Sequence, residues 1–524
     1  MPDLIVIGAG LNGLVAGTWL ARQKLSTVIL DQRPLPGGAA LTSEFVPGFR
    51  APALSHSFGP IHRDVVRALR LDRAGLEFIT PDPALTALGH DGRTIVFHRD
   101  PVLTAAAIHR HSAADAGRWR DFLQTTAKIA SIAGALNRQL PPPIEHVPPR
   151  ELWRLAQVGR RLRALGSRDL ARLVRWLPMS VADFAAEWFE TDLLQAALAA
   201  RAVFGNFAGP WSAGTGAMLL ERLTEDPMPI GSGVTVRGGP GALTQTLASL
   251  AQRAGATVTM EARVARIITK DGRAVGVALQ NGDEIRARAI LAAIDVRQTL
   301  LHLVDQDDVT PTVRERTRNI RVRGVTAKVN LALSAAPVFR ALDGDVVPLR
   351  GRFLVAPDVE YIERAFDAAK YGQLSELPWL EIAVPTIADP SLTPEHRHVL
   401  SMYVHFAPRA LRQGTWNDHR ESIYRAAMHA LTPHAPDLES LVIDGEVLTP
   451  EDLEQHWSVP GGHIFHGETT LDQTWVARPL LGWARYQSPV PGLFLGGAGT
   501  HPGGGLTGMS GLLAAKTVLR TLKP

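Results

Sequence analysis

The sequence predicts an α/β protein of two interleaved units, and three observations lead there. A strand, a turn with three spaced glycines, a helix and a second strand open the chain; a short strand, a glycine-rich loop and a helix close it; a helix followed by an alternating meander lies between. At 524 residues the chain is too long for one ordinary domain of roughly 100–200 residues. Hydrophobic residues at 45% and charged residues at 20%, with 47 Gly and 37 Pro, describe a globular chain and exclude a disordered, collagen-like or coiled-coil one. A net charge of +4 is too small to argue for nucleic acid. The absence of cysteine excludes structural disulfides, thiolate metal sites, a redox dithiol and a thiol nucleophile, so any redox chemistry must use a bound group.

Residues 3–31 read DLIVIGAGLNGLVAGTWLARQKLSTVILD. The apolar run Leu4–Ile7 has the length and branching of a buried parallel strand. Gly8, Gly10 and Gly13 follow at once: the first permits the tight turn, the second lets a pyrophosphate approach, and the third lets the helix lie close on the strand. Leu11 and Asn12 open that helix, whose unpaired N–H groups and partial positive charge suit an anion. Asp31 ends the second strand, eighteen residues beyond Gly13, where a carboxylate accepts from ribose hydroxyls and repels a 2′-phosphate. A Rossmann-like nucleotide-binding domain is therefore expected. Gln32 lies beside the acid, and Arg33 is read either as added charge near the phosphates or as a solvated surface arginine. The pair Gly37-Gly38, continued by Ala39 and Ala40, is foreign to a simple NAD unit and suits a chain running along a flavin.

At the other end, residues 492–516 read GLFLGGAGTHPGGGLTGMSGLLAAK, and the string GTHPGGG is the most specific in the chain. With the N-terminal unit and GGAALT, this resembles the phytoene desaturase-like group of the flavin amine oxidase superfamily. The stretches 377–394, 396–408 and 461–479 are similar to the branch containing pyridine nucleotide-disulfide oxidoreductase domain-containing protein 2 and the desaturase-type β-carotene ketolases. The resemblance implies a glutathione-reductase-type FAD domain, closed over the cofactor by the C-terminal segment through Gly499, Gly505, Leu506 and Thr507. It also places main-chain atoms of Val264 at the adenine and Ala293 near the pyrophosphate. Two features depart from the group. Its members tend to carry glutamate where this chain has Asp31, and the disulfide label cannot apply to a chain with no cysteine and one GxGxxG.

The middle of the chain divides accordingly. Residues 1–95, 230–300 and 471–524 are assigned to the FAD domain, and 96–229 and 301–470 to an α+β substrate domain. Within 237–295 a helix precedes a meander that turns at Asp271-Gly272 and Asn281-Gly282. Residues 150–177 carry Leu, Val and Trp on one face and arginines around it, Arg150 among them. They are read either as a domain helix or as a peripheral contact with an anionic membrane, broken into two helices at Gly159 or Gly166. His463, His466 and Glu468, with His396, His398 and His405, are set aside as polar loop and strand residues, and no metal is expected. His501, between the last strand and the 503–505 loop, is the one catalytic candidate; the competing role is to shape that loop.

The function expected is an FAD-dependent oxidoreductase that moves a hydride from an apolar substrate, a polyene or a lipid, to flavin N5 in a dry tunnel, with oxygen or a quinone as acceptor. The alternatives are redox-neutral polyene isomerisation or saturation by reduced FAD, and a flavoprotein scaffold without catalysis. Met1-Pro2-Asp3 leads directly into an apolar run, so a cytoplasmic location is expected, with any membrane association on the cytoplasmic face.

Overall fold

Leu4–Ile7 buries all four side chains, as a strand covered on both faces must. It pairs in parallel with Thr27–Leu30 on one side and Ala289–Ala292 on the other. Thr257–Thr259 and Leu493–Leu495 complete a five-stranded, wholly parallel sheet, so the start, middle and end of the chain lie side by side. Helices Leu11–Arg22, Pro240–Arg253 and Met509–Leu522 share one apolar core beside it. Their closeness comes from small residues: the N–H of Gly511 donates to Asn12 Oδ1 at 3.1 Å, where a larger side chain would strike the Asn12 carbonyl. The Rossmann-like domain read from the two termini is thus present. The computed structural model describes residues 1–57, 59–144 and 147–523; the side chain of Arg150 lies outside what is described.

The meander forms as its turns predict. Val264–Lys270, Arg273–Leu279 and Glu284–Arg286 make an antiparallel three-stranded sheet. Asp271 (φ 51) and Gly272 (φ 69) both take the left-handed backbone that a two-residue hairpin turn requires.

The second unit is built on a seven-stranded sheet in the order Val442–Leu448, Thr326–Leu333, His398–His405, Leu380–Ala383, Arg352–Val355, Leu85–Leu88, Thr94–Phe97. The expected border at 95/96 falls inside its edge strand, and Leu85–Leu88 pairs in parallel with Arg352–Val355. The reason is that a short apolar run fits either sheet equally well, and its partner lies far along the chain. Helices Ala113–Asn137, Val181–Trp188, Asp192–Val203 and Thr215–Glu225 pack over one side around Trp119, Phe122, Phe184 and Phe189. The Phe122 and Phe189 rings meet edge to face with centroids 5.0 Å apart.

Residues 150–177 are two helices, Pro149–Ala164 and Gly166–Trp176. The break lies at Gly166 (φ +81), and Gly159 continues the first helix without interruption. No helix among the described residues is long and apolar enough to cross a membrane.

Candidate active site

The helix Leu11–Arg22 begins with neither a side-chain cap nor an acidic residue in its first turn. Leu14 is the first to bond back, its N–H donating to the Gly10 carbonyl at 2.9 Å. The N–H groups of Leu11, Asn12 and Gly13 have no partner among the described residues, which leaves the positive end of the helix open to an anion. A cleft of about 600 Å³ starts at this point. It is lined by Gly8, Gly10, Leu11, Asn12, Asp31, Gln32, Arg33, Gly37, Gly38, Ala39, Val264, Ala293, Gly505 and Leu506, so residues from both ends and the middle of the chain converge as expected.

Asp31 has a second role. Its Oδ2 accepts from the N–H of Ala9 at 2.7 Å and its Oδ1 from the N–H of Arg33 at 2.9 Å, which ties the glycine turn to the second strand. A carboxylate has further lone pairs for a ribose. Gln32 and Arg33 hold the outer rim: Gln32 Nε2 donates to Ser458 Oγ at 2.9 Å, and Arg33 Nη2 to the His456 carbonyl at 2.7 Å, with its guanidinium 4.3 Å from the Trp457 ring centre. Arg33 thus lines the cleft with its guanidinium held by the rim. The 456–459 rim was not legible in the sequence, since nothing marks Trp457 or Ser458 as neighbours of residue 32.

Four predicted contacts do not line the cleft. Gly13 acts from behind it, because a Cβ there would lie 1.9 Å from the Gly8 carbonyl oxygen. Ala40 is buried, Gly499 packs against the backbone of His466, and Thr507 lines the adjoining chamber instead. His501 reaches neither space. It is fully buried, and its Nε2 lies 3.0 Å from the Gln139 carbonyl. Tyr486 donates to the His501 carbonyl at 2.6 Å. This is the loop-shaping role, and burial lowers its pKa to about 4. No group of three or more His, Cys, Asp and Glu side chains placed to hold a metal ion occurs among the described residues.

The donor set fits FAD. Unpaired N–H groups await a pyrophosphate, an acid stands at the ribose, and backbone around Val264 closes the far end. A Cβ at Gly10 would meet only the Gly38 Cα, at 4.0 Å, so the missing side chain leaves room for a bound group. A wider groove of about 710 Å³ beside helix Trp416–Leu431 lies apart from all these residues and shares none of this chemistry.

Six residues, Ala39, Val459, His466, Ala498, Gly505 and Leu506, line both the cleft and a smaller chamber of about 130 Å³. The chamber differs from the dry apolar tunnel expected. Leu54, Phe204, Ile464 and Phe465 form an apolar part of its wall, and Arg201, Arg222, Arg352, Glu225, Asp226 and Glu381 form a charged part. These charges come from helices Asp192–Val203 and Thr215–Glu225, the residues after them, and two central strands. In the sequence they look like ordinary solvated charges.

Most of them are paired. Glu381 accepts from Arg352 Nη1 at 2.6 Å and its Oε1 lies 3.1 Å from His56 Nε2; although burial alone would raise its pKa, Arg352 and His56 hold the carboxyl well below the usual range. His56 Nδ1 lies 2.9 Å from Lys328 Nζ, and burial lowers that ammonium to about 7. Asp226 Oδ2 accepts from the N–H and hydroxyl of Ser232 at 2.6 and 2.7 Å. Glu225 and Arg201 are the exceptions. The Glu225 carboxyl has no hydrogen bond among the described residues, and a Cβ on Gly505 would lie 3.1 Å from its Oε2. Burial pushes it up to about 7, against Arg222, with Glu221, and against Arg201 and Arg478. A carboxyl titrating near neutrality beside Gly505, which lines both cavities, can take up or release a proton there.

The family described as flavin containing amine oxidoreductase matches residues 11–519. The rat pyridine nucleotide-disulfide oxidoreductase domain-containing protein 2 is 31% identical over 99% of this chain and 94% of its own. The lycopene-forming phytoene desaturase of Pantoea ananas is 25% identical over 98% and 97%. Among solved structures, cyclohexylamine oxidase from Brevibacterium oxydans IH-35A superposes with a TM-score of 0.59 over the whole of both chains at 16% identity, a likeness of fold.

Proposed function

Because the chain belongs to the flavin-containing amine oxidoreductase family and is an FAD-dependent oxidoreductase of it, we propose that it acts as a dehydrogenase of the desaturase type on a substrate held in the smaller chamber. The observation that carries this reading is that the nucleotide cleft shares six wall residues with a chamber that holds the Glu225 carboxyl, unpaired among the described residues. FAD, when bound in the cleft, would supply the two-electron acceptor for the hydride. Glu225 receives the proton from the neighbouring atom, so the substrate loses two hydrogens and gains a double bond. Leu54, Phe204, Ile464 and Phe465 hold an apolar carbon skeleton and exclude water, and the charged wall holds a polar group on it. The similarity to a phytoene desaturase supports an apolar, unsaturated skeleton. Oxygen or a quinone completes the cycle, since the chain has no dithiol.

Anaerobic mixing of the FAD-loaded protein with candidate substrates tests this. Bleaching of the flavin with formation of a double bond is expected. Turnover seen only after the flavin has been reduced beforehand would point instead to redox-neutral isomerisation or saturation, and binding without either to a scaffold. Glu225→Gln is expected to slow the bleaching by about 10²-fold or more. The wild-type rate should rise through about pH 7, because the base must be ionised; a flat profile between pH 6 and 8 would remove Glu225 from this role.

We also propose a peripheral membrane contact through residues 150–177, supported by the exposure of Leu152, Trp153 and Val174 beside Arg160, Arg161, Arg163 and Arg168. Co-sedimentation should be strong with vesicles containing phosphatidylglycerol and weak with phosphatidylcholine alone, and Trp153→Ser with Arg160→Glu should abolish it.

A further inference from the structure

The chamber has three guanidinium groups with different partners. Arg352 donates to Glu381 and to the carbonyls of Ile230 and Gly231. Arg222 donates to the Phe204 carbonyl at 3.2 Å and lies over the Phe465 ring, 4.0 Å from its centre. Arg201 has no hydrogen bond and no ion pair among the described residues, and its Nε is buried without a partner. The nearby acid, Asp226, is already occupied by Ser232 and Met228. Arg201 and Arg352 also converge on one point. A Cβ on Gly231 would lie 3.1 Å from Arg201 Cζ and Nη1 and 3.2 Å from Arg352 Nη2, so two like charges share a small space in which Arg352 is paired with Glu381 and Arg201 has no ion pair among the described residues.

A buried cation without a counter-charge is costly unless something pairs with it, and a guanidinium presents a planar fork of donors that matches a carboxylate. Burial leaves Arg201 charged at neutral pH, its pKa lowered only to about 10. We propose that Arg201 anchors the carboxylate of an anionic substrate, with the apolar part of that molecule lying against Phe204 and Phe465 toward the cleft. This inference rests on the dehydrogenase reading for its meaning, and it makes the substrate an organic acid with an unsaturated or saturated carbon skeleton. A pure hydrocarbon would leave the Arg201 guanidinium without an ion pair among the described residues.

Benzoate and benzyl alcohol serve as probes, one with the carboxylate and one with a neutral hydroxyl on the same ring. The full-length FAD-loaded protein is titrated with each, following the visible flavin band and the heat of binding. Benzoate is expected to bind at least tenfold more tightly than benzyl alcohol. Arg201→Gln should erase that preference without loss of the flavin spectrum, and Arg201→Lys should keep part of it. Equal affinity of the two probes for the wild-type protein overturns the proposal, and needs no variant to fold; so does an undiminished benzoate preference in Arg201→Gln. Failure of the dehydrogenase reading is a separate result, in which benzoate binds selectively but no organic acid bleaches the flavin.

Discussion

Replacing Gly13 with alanine is expected to leave the protein without FAD. The added Cβ would lie 1.9 Å from the Gly8 carbonyl oxygen and 3.1 Å from the Ala293 Cβ. The first is a backbone atom in a turn already bonded to Leu30, through the Gly8 N–H at 2.7 Å, so no side chain can rotate away. The helix must instead move off the sheet, taking with it the unpaired N–H groups of Leu11 and Asn12 that face the pyrophosphate position. Overpacking of this kind typically costs about 1–3 kcal/mol or more. The flavin-to-protein ratio should fall at least tenfold and the apparent Tm should drop by several degrees. Gly10→Ala provides the contrast. Its Cβ meets only Gly38 Cα, at 4.0 Å, so the variant should fold with a nearly unchanged apoprotein Tm and yet bind FAD poorly. If Gly13→Ala retains stoichiometric flavin, the close approach of helix and strand is not what positions the cofactor.

The second large effect is acid lability. Burial holds five histidines neutral: His56, His466 and His501 titrate at about 4, and His405 and His463 at about 3. In the unfolded chain each titrates near 6.5. Between pH 6.5 and about 4 the unfolded state therefore binds more protons than the folded one, and stability must fall as the pH falls. At one unit below 6.5 each group contributes up to about 1.4 kcal/mol of this loss. Four carboxyls act in the opposite direction: burial raises Glu225 to about 7, Asp295 to about 6, and Glu221 and Glu446 above their ordinary range, so each favours the folded state on acidification. The five imidazoles outweigh them, and the buried Lys328, lowered to about 7, adds to the loss. A net loss of several kcal/mol from pH 7.5 to 5.5 is a large share of the roughly 5–15 kcal/mol that keeps an ordinary domain folded. The apparent Tm should drop by ten degrees or more over that range. An unchanged Tm would mean that these imidazoles are hydrated or already protonated in the folded protein.

The nucleotide half of the molecule was legible because its signals are local. Leu4–Ile7, the spaced glycines and Asp31 occupy one short βαβ unit, and the turns at Asp271-Gly272 and Asn281-Gly282 announce their hairpins within a few residues. Small residues at both termini, Asn12 and Gly511 among them, allow the close packing that joins the two ends. Other features had no local signature. Strands Leu85–Leu88 and Thr94–Phe97 carry the same apolar pattern whichever sheet they join. Arg33 looks the same in sequence whether it is solvated or stacked on Trp457. His501 stands next to the right loop, but its ring is turned toward Gln139 and away from both cavities.

What can be read along the chain of this protein is the binding of a dinucleotide and the borrowing of redox chemistry from it, because a glycine turn, a helix end, a terminal acid and the absence of cysteine are properties of short segments or of composition. The substrate chamber is different. Arg201, Glu225, Arg352 and Glu381 are four among many charged residues, and they acquire chemistry only when two helices and two strands enclose them and remove their water. Desolvation depends on what packs around a side chain, and that is settled by long-range pairing between distant segments. A tunnel for hydrocarbon was therefore a fair expectation from order alone, and the folded chain places paired and unpaired charges there instead.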